Sequence, residues 1–478
     1  MCGINGIIQN LESNSALYPR LKLMEKAQLH RGPDAQGIKE FSFKNWRIGL
    51  GHQRLSIIDL NEVSNQPMVS NNGRYAMVYN GEVYNYKELR LELAVLGAQF
   101  QGESDTTVVM EAMRIWGPRK AFSRFIGMWA IAWIDLSEGK LILSRDRVGV
   151  KPLYYTQTQG QLYFASEIKT LLEGSQKRFA LNHRLIHQYL AHSLLETTNE
   201  TFLSEIYKLP AGHFAIIDLN AESLTCHPQR YWHIPFQNDS VFNQSKDQSI
   251  LIEEIHDLFF DSVKLRLRSD VPVGIALSGG VDSSSITAAM NSILTRHDNL
   301  NLISAVNDYN QFDESPFIDK VSAHLQRPVH KVLLRFKPVE IFKLLHDVTW
   351  HHDEPLGSFS TVAHYLLMRR AKEIGVTVIL SGQGADEILC GYKKYLGFYL
   401  QYLYRKGDFS EALKTLSGFY KQKTVISQFN FSEAKRYLPN VREIFSKNII
   451  GKNLEDYENI DLGLPKSATV QERQAEDV

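Results

Sequence analysis

The sequence predicts a layered α+β domain followed by an α/β domain built on a parallel sheet, and three observations carry that expectation. The length, 478 residues, favours two or three domains at roughly 100–200 residues each. The first half interleaves many short apolar runs with a few stretches of helical spacing, as layered α+β domains do. The second half alternates strand and helix, and its strands are short and fully apolar. That is the signature of a parallel sheet covered on both faces.

The elements follow in order. Residues 4–8, 75–78, 128–134 and 141–143 read as strands bounded by Gly, Asn and Asp. Residues 153–156 and 162–165 flank a Gln-Thr-Gln-Gly stretch and read as a hairpin, while helical spacing runs through 17–29, 86–96 and 106–116. A polar stretch at 229–249 separates the halves. The expected division is therefore a first domain at 2–210, a connecting segment at 211–249 and a second domain at 250–478. In the second domain a helix at 250–267 leads into a strand at 271–277, and 302–306, 329–334 and 376–380 follow as strands. Helical periodicity continues from about residue 404, and the last dozen residues are polar.

Composition excludes several function classes. Lysine plus arginine (53) balances aspartate plus glutamate (53), which argues against a broad nucleic-acid-binding surface. Three cysteines, Cys2, Cys226 and Cys390, make no disulfide framework and lack metal-ligand spacing. No apolar run reaches the length of a membrane span, and no basic region precedes an apolar one at the N-terminus. A cytoplasmic enzyme with small-molecule substrates, no nucleic acid and no membrane is the expectation.

The chain begins Met1-Cys2-Gly3-Ile4. Initiator methionine is commonly removed when a small residue follows, and Cys2 would then carry both a thiol and a free α-amine. A terminal amine can serve as base for its own side chain, and it titrates near pH 8. Four further strings come downstream: H-R-G-P-D at 30–34, G-H-Q-R-L-S-I at 51–57, Y-N-G-E-V-Y-N at 79–85 and G-E-S-D at 102–105. Each places polar groups at a strand end or turn, where they can converge on a small substrate.

This ordered set resembles the glutaminase domain of class II glutamine amidotransferases, which implies the N-terminal-nucleophile hydrolase fold with αββα layers over about the first 200 residues. By that resemblance Cys2 attacks the side-chain amide of glutamine, and Asn80 with the Gly81 N–H forms the oxyanion hole. Arg54 and Asp105 hold the α-carboxylate and α-amine of glutamine, with Glu82 assisting. The chemistry agrees, since a zwitterion needs one fixed cation and one fixed anion, and Arg can pair bidentately. His30 is expected to have a turn role beside Gly32-Pro33 rather than a catalytic one.

In the second half, Leu277-Ser278-Gly279-Gly280-Val281-Asp282-Ser283-Ser284 sits between an expected strand and helix. Small residues there let backbone N–H groups approach phosphate, and the helix N-terminus adds partial positive charge. The string lacks the spacing and lysine of the Walker A pattern. It resembles the pyrophosphate loop of the ATP pyrophosphatase family, which implies a doubly wound, adenine nucleotide α-hydrolase-like fold. A second string, S-G-Q-G-A-D-E at 381–387, follows the last expected strand, at the kind of strand end where open parallel sheets bind ligands. By resemblance Leu277, Ser278, Gly279, Gly280, Asp282, Ser283, Val306, Ser381 and Gly382 bind ATP. Asp282 and Asp386 would hold Mg²⁺ on the pyrophosphate, an ion that favours one or two carboxylates plus phosphate oxygens.

Asp353-Glu354-Pro355 and Asp313-Glu314-Ser315 also match family strings, and Asp313 is equally explained as a helix cap. His351-His352 invites a metal reading, but adjacent residues rarely face one ion.

A glutaminase domain followed by an ATP pyrophosphatase domain is the layout of the glutamine-hydrolysing asparagine synthase family. The resemblance implies ligase chemistry with aspartate, glutamine and ATP as substrates, through a glutamyl thioester and a β-aspartyl adenylate, and it allows a homodimer. Two departures stand out. Gln383 occupies a position that carries a carboxylate in many members, and members continue well beyond residue 478, so the second domain is expected to be C-terminally incomplete. Amidation of another carboxylate, such as a uronic acid in polysaccharide synthesis, stays open as an alternative. So does a glutaminase or partner-binding remnant without synthetase activity.

Overall fold

The computed structural model describes residues 1–13, 16–158, 160–234, 247–294, 300–307 and 313–421. Its contacts divide the chain into two units, Met1–Gly382 and Gln383–Val478.

The first half of the larger unit begins with β1 (Gly3–Asn10), α1 (Leu17–Ala27), β2 (Ala35–Phe43), β3 (Trp46–Arg54), β4 (Met68–Val69) and β5 (Tyr75–Val83). Helices α2 (Tyr86–Val95), α3 (Asp105–Trp116) and α4 (Pro118–Arg124) precede β6 (Gly127–Asp135), β7 (Lys140–Arg145), β8 (Tyr154–Thr158) and β9 (Gln161–Ala165). Then come α5 (Ile168–Ser175), α6 (His183–His192), β10 (Ile206–Lys208), β11 (His213–Asp218) and β12 (Gln229–Arg230). These strands make two antiparallel sheets, in the orders β10-β8-β9-β1-β3-β2 and β12-β11-β7-β6-β5-β4.

Period-two alternation explains the layers. In β5, Tyr75, Met77 and Tyr79 face α2, α3 and α4, while Ala76 and Val78 face the other sheet. In β6, Trp129, Ile131 and Trp133 take the helical side, and Ala130, Ala132 and Ile134 the sheet side. Ile4 and Ile8 of β1 meet that second set, and Ile7 packs under Leu17, Leu21 and Met24 of α1 and Leu171 of α5. The result is the expected αββα sandwich. Within the expected connecting segment 211–249, β11 pairs with β7 and buries Phe214, Ala215 and Ile217, so the second sheet is completed by strands beyond residue 210.

The rest of this unit runs α7 (Gln248–Arg266), β13 (Val273–Ala276), α8 (Val281–Ile293), β14 (Asn301–Val306), α9 (Ser315–Leu325), β15 (Val329–Leu333), α10 (Pro338–His352), α11 (Ser360–Glu373) and β16 (Val378–Leu380). All pairings are parallel and the order is β15-β14-β13-β16. Val263, Ala289, Met290 and Ile318 cover one face of this sheet, and Ala371 with Leu367 covers the other. This is the expected doubly wound arrangement. The order reverses at β13, so the loop after that strand sits at the switch point where such sheets bind ligands.

The smaller unit contains α12 (Ala385–Leu389), α13 (Lys393–Lys406) and α14 (Phe409–Lys421). Asp386 lies on α12. The polar tail noted in the sequence lies outside the described residues. Among the described residues no helix is long and apolar enough to cross a membrane.

Candidate active site

Cys2 lies just ahead of β1, at one end of the sandwich. Its thiol donates to Leu55 O at 3.6 Å and accepts the Leu55 N–H at 3.3 Å. One cavity brings together Cys2, Arg54, Asn80, Gly81, Glu82 and Asp105, with Tyr79, Lys151 and Met1 also in its walls. Every residue expected in a glutamine site is thus in one place, although the residues are spread over a hundred positions of chain. Met1 is half-exposed, but its α-amine is buried and pushed down to about 5, chiefly by that burial.

Two neighbours in β5 supply donors. Asn80 is buried, and its side-chain Nδ2 has no partner among the described residues. An unpaired buried donor is costly, and in a cavity shared with a thiol it is poised for an incoming oxygen. Gly81 admits no side chain, because a Cβ there would lie 2.2 Å from Met128 O.

Arg54 ends β3, where its guanidinium donates to Asn61 O at 2.9 Å, to Asn65 Oδ1 at 2.8 Å and to Asp59 O. These bonds fix the cation against the 55–65 loop. Asp105 opens α3 and accepts from the Tyr79 hydroxyl at 2.8 Å and the Val83 N–H at 2.9 Å. Burial still pushes its carboxyl up to about 6, against those bonds. Glu82 is pushed up to about 7 by burial, with the Lys151 charge opposing the rise.

Lys151 escaped sequence reasoning. It is buried, and burial lowers its amine. The loop that delivers it is built by Asp146, whose carboxylate accepts the N–H groups of Val148, Val150 and Lys151 at 3.2, 2.9 and 2.9 Å. An aspartate followed by Arg147-Val148-Gly149-Val150-Lys151 was the available signal. Arg31 and Glu167 were likewise missed. Arg31 Nε donates to Cys2 O at 2.8 Å and its Nη1 to Glu167 Oε1 at 2.9 Å. His30 Nε2 sits 2.9 Å from the same oxygen.

The residues expected to bind ATP lie at or just beyond the carboxyl ends of the parallel strands. After β13, Leu277 and Ser278 lead to Gly279, whose φ of +78° suits glycine, and Gly280 caps α8. Ser283 Oγ accepts the Ser278 N–H at 3.2 Å, which closes the turn. Asp282 stands in the first turn of α8. Val306 ends β14, and Gly382 follows β16 with its Cβ position 3.2 Å from the Asp282 Cβ. Ser381 precedes it at the same strand end. Asp313 accepts the Ser315 N–H at 3.0 Å at the start of α9. His351 packs on His30 and Tyr365, whereas His352 Nδ1 meets Glu354 O at 3.0 Å. The two adjacent histidines do not share a target.

Residues 1–232 match a family described as glutamine amidotransferase domain, and residues 254–447 match asparagine synthase. A putative asparagine synthetase [glutamine-hydrolyzing] 2 of Methanocaldococcus jannaschii is 34% identical over 422 residues, covering 85% of this chain and 78% of its own. The chain belongs to the glutamine-hydrolysing asparagine synthetase family. Other family relatives include asparagine synthetase [glutamine-hydrolyzing] 1 of Bacillus subtilis, 33% identical over 83% of this chain and 59% of its own. Amidase chry2 of Gibberella zeae is 32% identical over 77% of this chain and 54% of its own. The chain therefore spans little more than half the length of these two relatives.

Proposed function

We propose that this family member hydrolyses glutamine at Cys2 and transfers the ammonia to a carboxylate activated by ATP, with aspartate as the acceptor. The observation that carries the reading is the unpaired Asn80 Nδ2 in the Cys2 cavity. With Met1 removed, the Cys2 amine takes the thiol proton and the sulfur attacks the side-chain amide carbon. The negative charge that develops on oxygen meets Asn80 Nδ2 and the Gly81 N–H. One such donor is worth roughly 3–4 kcal/mol in the transition state. Ammonia leaves, and water releases glutamate from the thioester.

Arg54 and Asp105 suit the two charged ends of glutamine, and the raised carboxyl of Asp105 ionises more readily once an ammonium sits against it. In the second half, the loop from Leu277 to Ser283, with Val306, Ser381 and Gly382, suits ATP, since backbone N–H groups open a helix at the sheet's switch point. Asp282 is a partly exposed carboxylate at that helix start, which fits the Mg²⁺ that accompanies the substrate pyrophosphate. The acceptor carboxylate displaces pyrophosphate from the α-phosphate, and ammonia then displaces AMP.

A second acceptor class stays in view because an amidase is among the relatives and Gln383 stands where many synthetases carry a carboxylate. Pyrophosphate release from ATP with glutamine, measured with aspartate beside candidate uronates, separates the two. Cys2→Ala is expected to abolish glutamate release, and unchanged release in that variant would sink the reading. Asn80→Ala is expected to lower kcat about 10²- to 10³-fold. Glutamate release without pyrophosphate from any acceptor would leave a glutaminase alone.

A further inference from the structure

The Cys2 carbonyl is connected by an unbroken chain of charged groups to the end of α10, a helix of the nucleotide-binding half. Arg31 donates to Cys2 O at 2.8 Å and to Glu167 Oε1 at 2.9 Å. Glu167 Oε2 accepts Lys169 Nζ at 2.7 Å. The same Nζ lies 2.9 Å from Asp353 Oδ1, and Asp353 Oδ2 accepts the Ile168 N–H at 2.7 Å. None of the four charged side chains is more than 14% exposed.

Such a network is a poor device for stability alone. Burying paired charges costs several kcal/mol per ion before any return, and well-packed apolar residues often serve as well. What the pairs supply is direction. A guanidinium holding Cys2 O and Glu167 together is a rigid planar fork. Glu167 is held from both sides, with His30 and Arg31 on one oxygen and Lys169 on the other. Burial works to raise its carboxyl, yet those partners outweigh it and hold Glu167 at about 2, so it stays charged.

The α10 end of the chain is equally constrained. Asp353 terminates the helix with φ of +66°, a conformation that L-residues other than Asn and Asp rarely adopt. A glycine would adopt it freely but would give up both carboxylate contacts. Trp350 and His351, in the last turn of α10, pack on His30 at ring separations of 5.1 and 4.7 Å, and Lys169 Nζ sits 4.6 Å over the Trp350 ring. The helix end, the relay and the H-R-G-P-D turn are thus one packed body.

We propose that Lys169 and Asp353 are positioning residues for the Cys2 nucleophile, acting through Glu167 and Arg31, so that glutamine hydrolysis depends on where α10 holds Asp353. The proposal rests on the reading of Cys2 as the nucleophile. The relay touches the Cys2 backbone and none of the groups assigned to glutamine's charged ends. Its loss should therefore slow the chemical step and leave binding unchanged.

The test is steady-state glutamate release by Asp353→Asn and Lys169→Met in the full chain, with Cys2 alkylation by iodoacetamide followed by peptide mapping. The expected result is a kcat about 10- to 100-fold lower, the scale of an ångström-sized misplacement. KM for glutamine should stay within about twofold, and the Cys2 alkylation rate should change. Lys169→Arg and Asp353→Glu should each recover part of the loss. The double variant should be no worse than either single one, because both break the same chain.

Unchanged kcat in a folded Asp353→Asn or Lys169→Met protein overturns the proposal, as does an effect confined to KM or additive losses. Should Asp353→Asn fail to fold, Lys169→Met decides by the same criteria. Cys2→Ala keeps the two readings apart. Surviving glutamate release in that variant overturns the nucleophile assignment itself. Abolished release there, with Asp353→Asn fully active, overturns the relay alone.

Discussion

Tyr79 donates its hydroxyl to Asp105 at 2.8 Å, tying β5 to the first residue of α3 in the wall of the Cys2 cavity. That bond favours the charged carboxylate, while burial disfavours it, and the balance leaves Asp105 at about 6. Glutamine's own carboxylate and ammonium keep their charges between pH 5 and 8. KM for glutamine should therefore rise as pH falls through about 6, approaching tenfold per pH unit below it. Tyr79→Phe removes the donor, so the rise should begin at higher pH. Glutamate-release kinetics across that range check both, and coincident profiles for the two proteins would remove the Tyr79 contribution.

Glu82 leads to a stability prediction of opposite appearance. Burial raises its carboxyl from 4.5 to about 7, so the folded state holds a proton that the unfolded chain has released between those values. Stability must then fall as pH rises through that window. Glu82→Gln has no proton to lose. The variant should gain apparent melting temperature relative to the parent from about pH 4.5 to 7 and hold that gain above. The limiting difference is on the order of 3 kcal/mol or less, since a tenfold change in proton affinity is worth about 1.4 kcal/mol. Thermal scans of both proteins at several pH values measure it, and parallel curves would contradict the assignment.

The same physics explains what the sequence made legible. Strands β5 and β6 announce themselves because Tyr75 to Tyr79 and Trp129 to Ile134 are apolar on both faces of a buried sheet. Strands β2 and β3 went unseen. Half of β2 faces outward, and β3 carries glycines with His52, Gln53 and Arg54, polar residues whose burial breaks the apolar run by which a buried strand is read. The cavity residues were readable because each belongs to a short polar string, although Asn80 and Gly81 lie inside β5 and not at its end. Lys151 had a local signal in its Asp146-built loop, but the roles of Arg31 and Glu167 come from partners far along the chain. Arg31 and Glu167 are 136 positions apart, and no local pattern records that pairing.

A second link between the halves should behave differently from the Asp353 relay. Asp270, just ahead of β13, donates its N–H to Ile57 O at 2.9 Å, and its Oδ2 accepts the Asp59 N–H at 2.7 Å. Ile57 and Ile58 line the Cys2 cavity, and the carbonyls of Asp59 and Asn61 hold Arg54. The segment leading to the loop proposed for ATP thus clamps the wall that carries Arg54, the cation proposed for glutamine's carboxylate. Asp270→Ala keeps the backbone bond and leaves the Asp59 N–H without its carboxylate. A hydrogen bond to a charged group contributes about 1.5–3 kcal/mol, of which only the share transmitted to Arg54 reaches binding. KM for glutamine is expected to rise about three- to tenfold in Asp270→Ala with kcat within about twofold, the reverse of the split expected for Asp353→Asn. Steady-state glutamate release by the two variants side by side measures that contrast, and a fall in kcat at unchanged KM in Asp270→Ala would show that this clamp acts on Cys2 and not on Arg54.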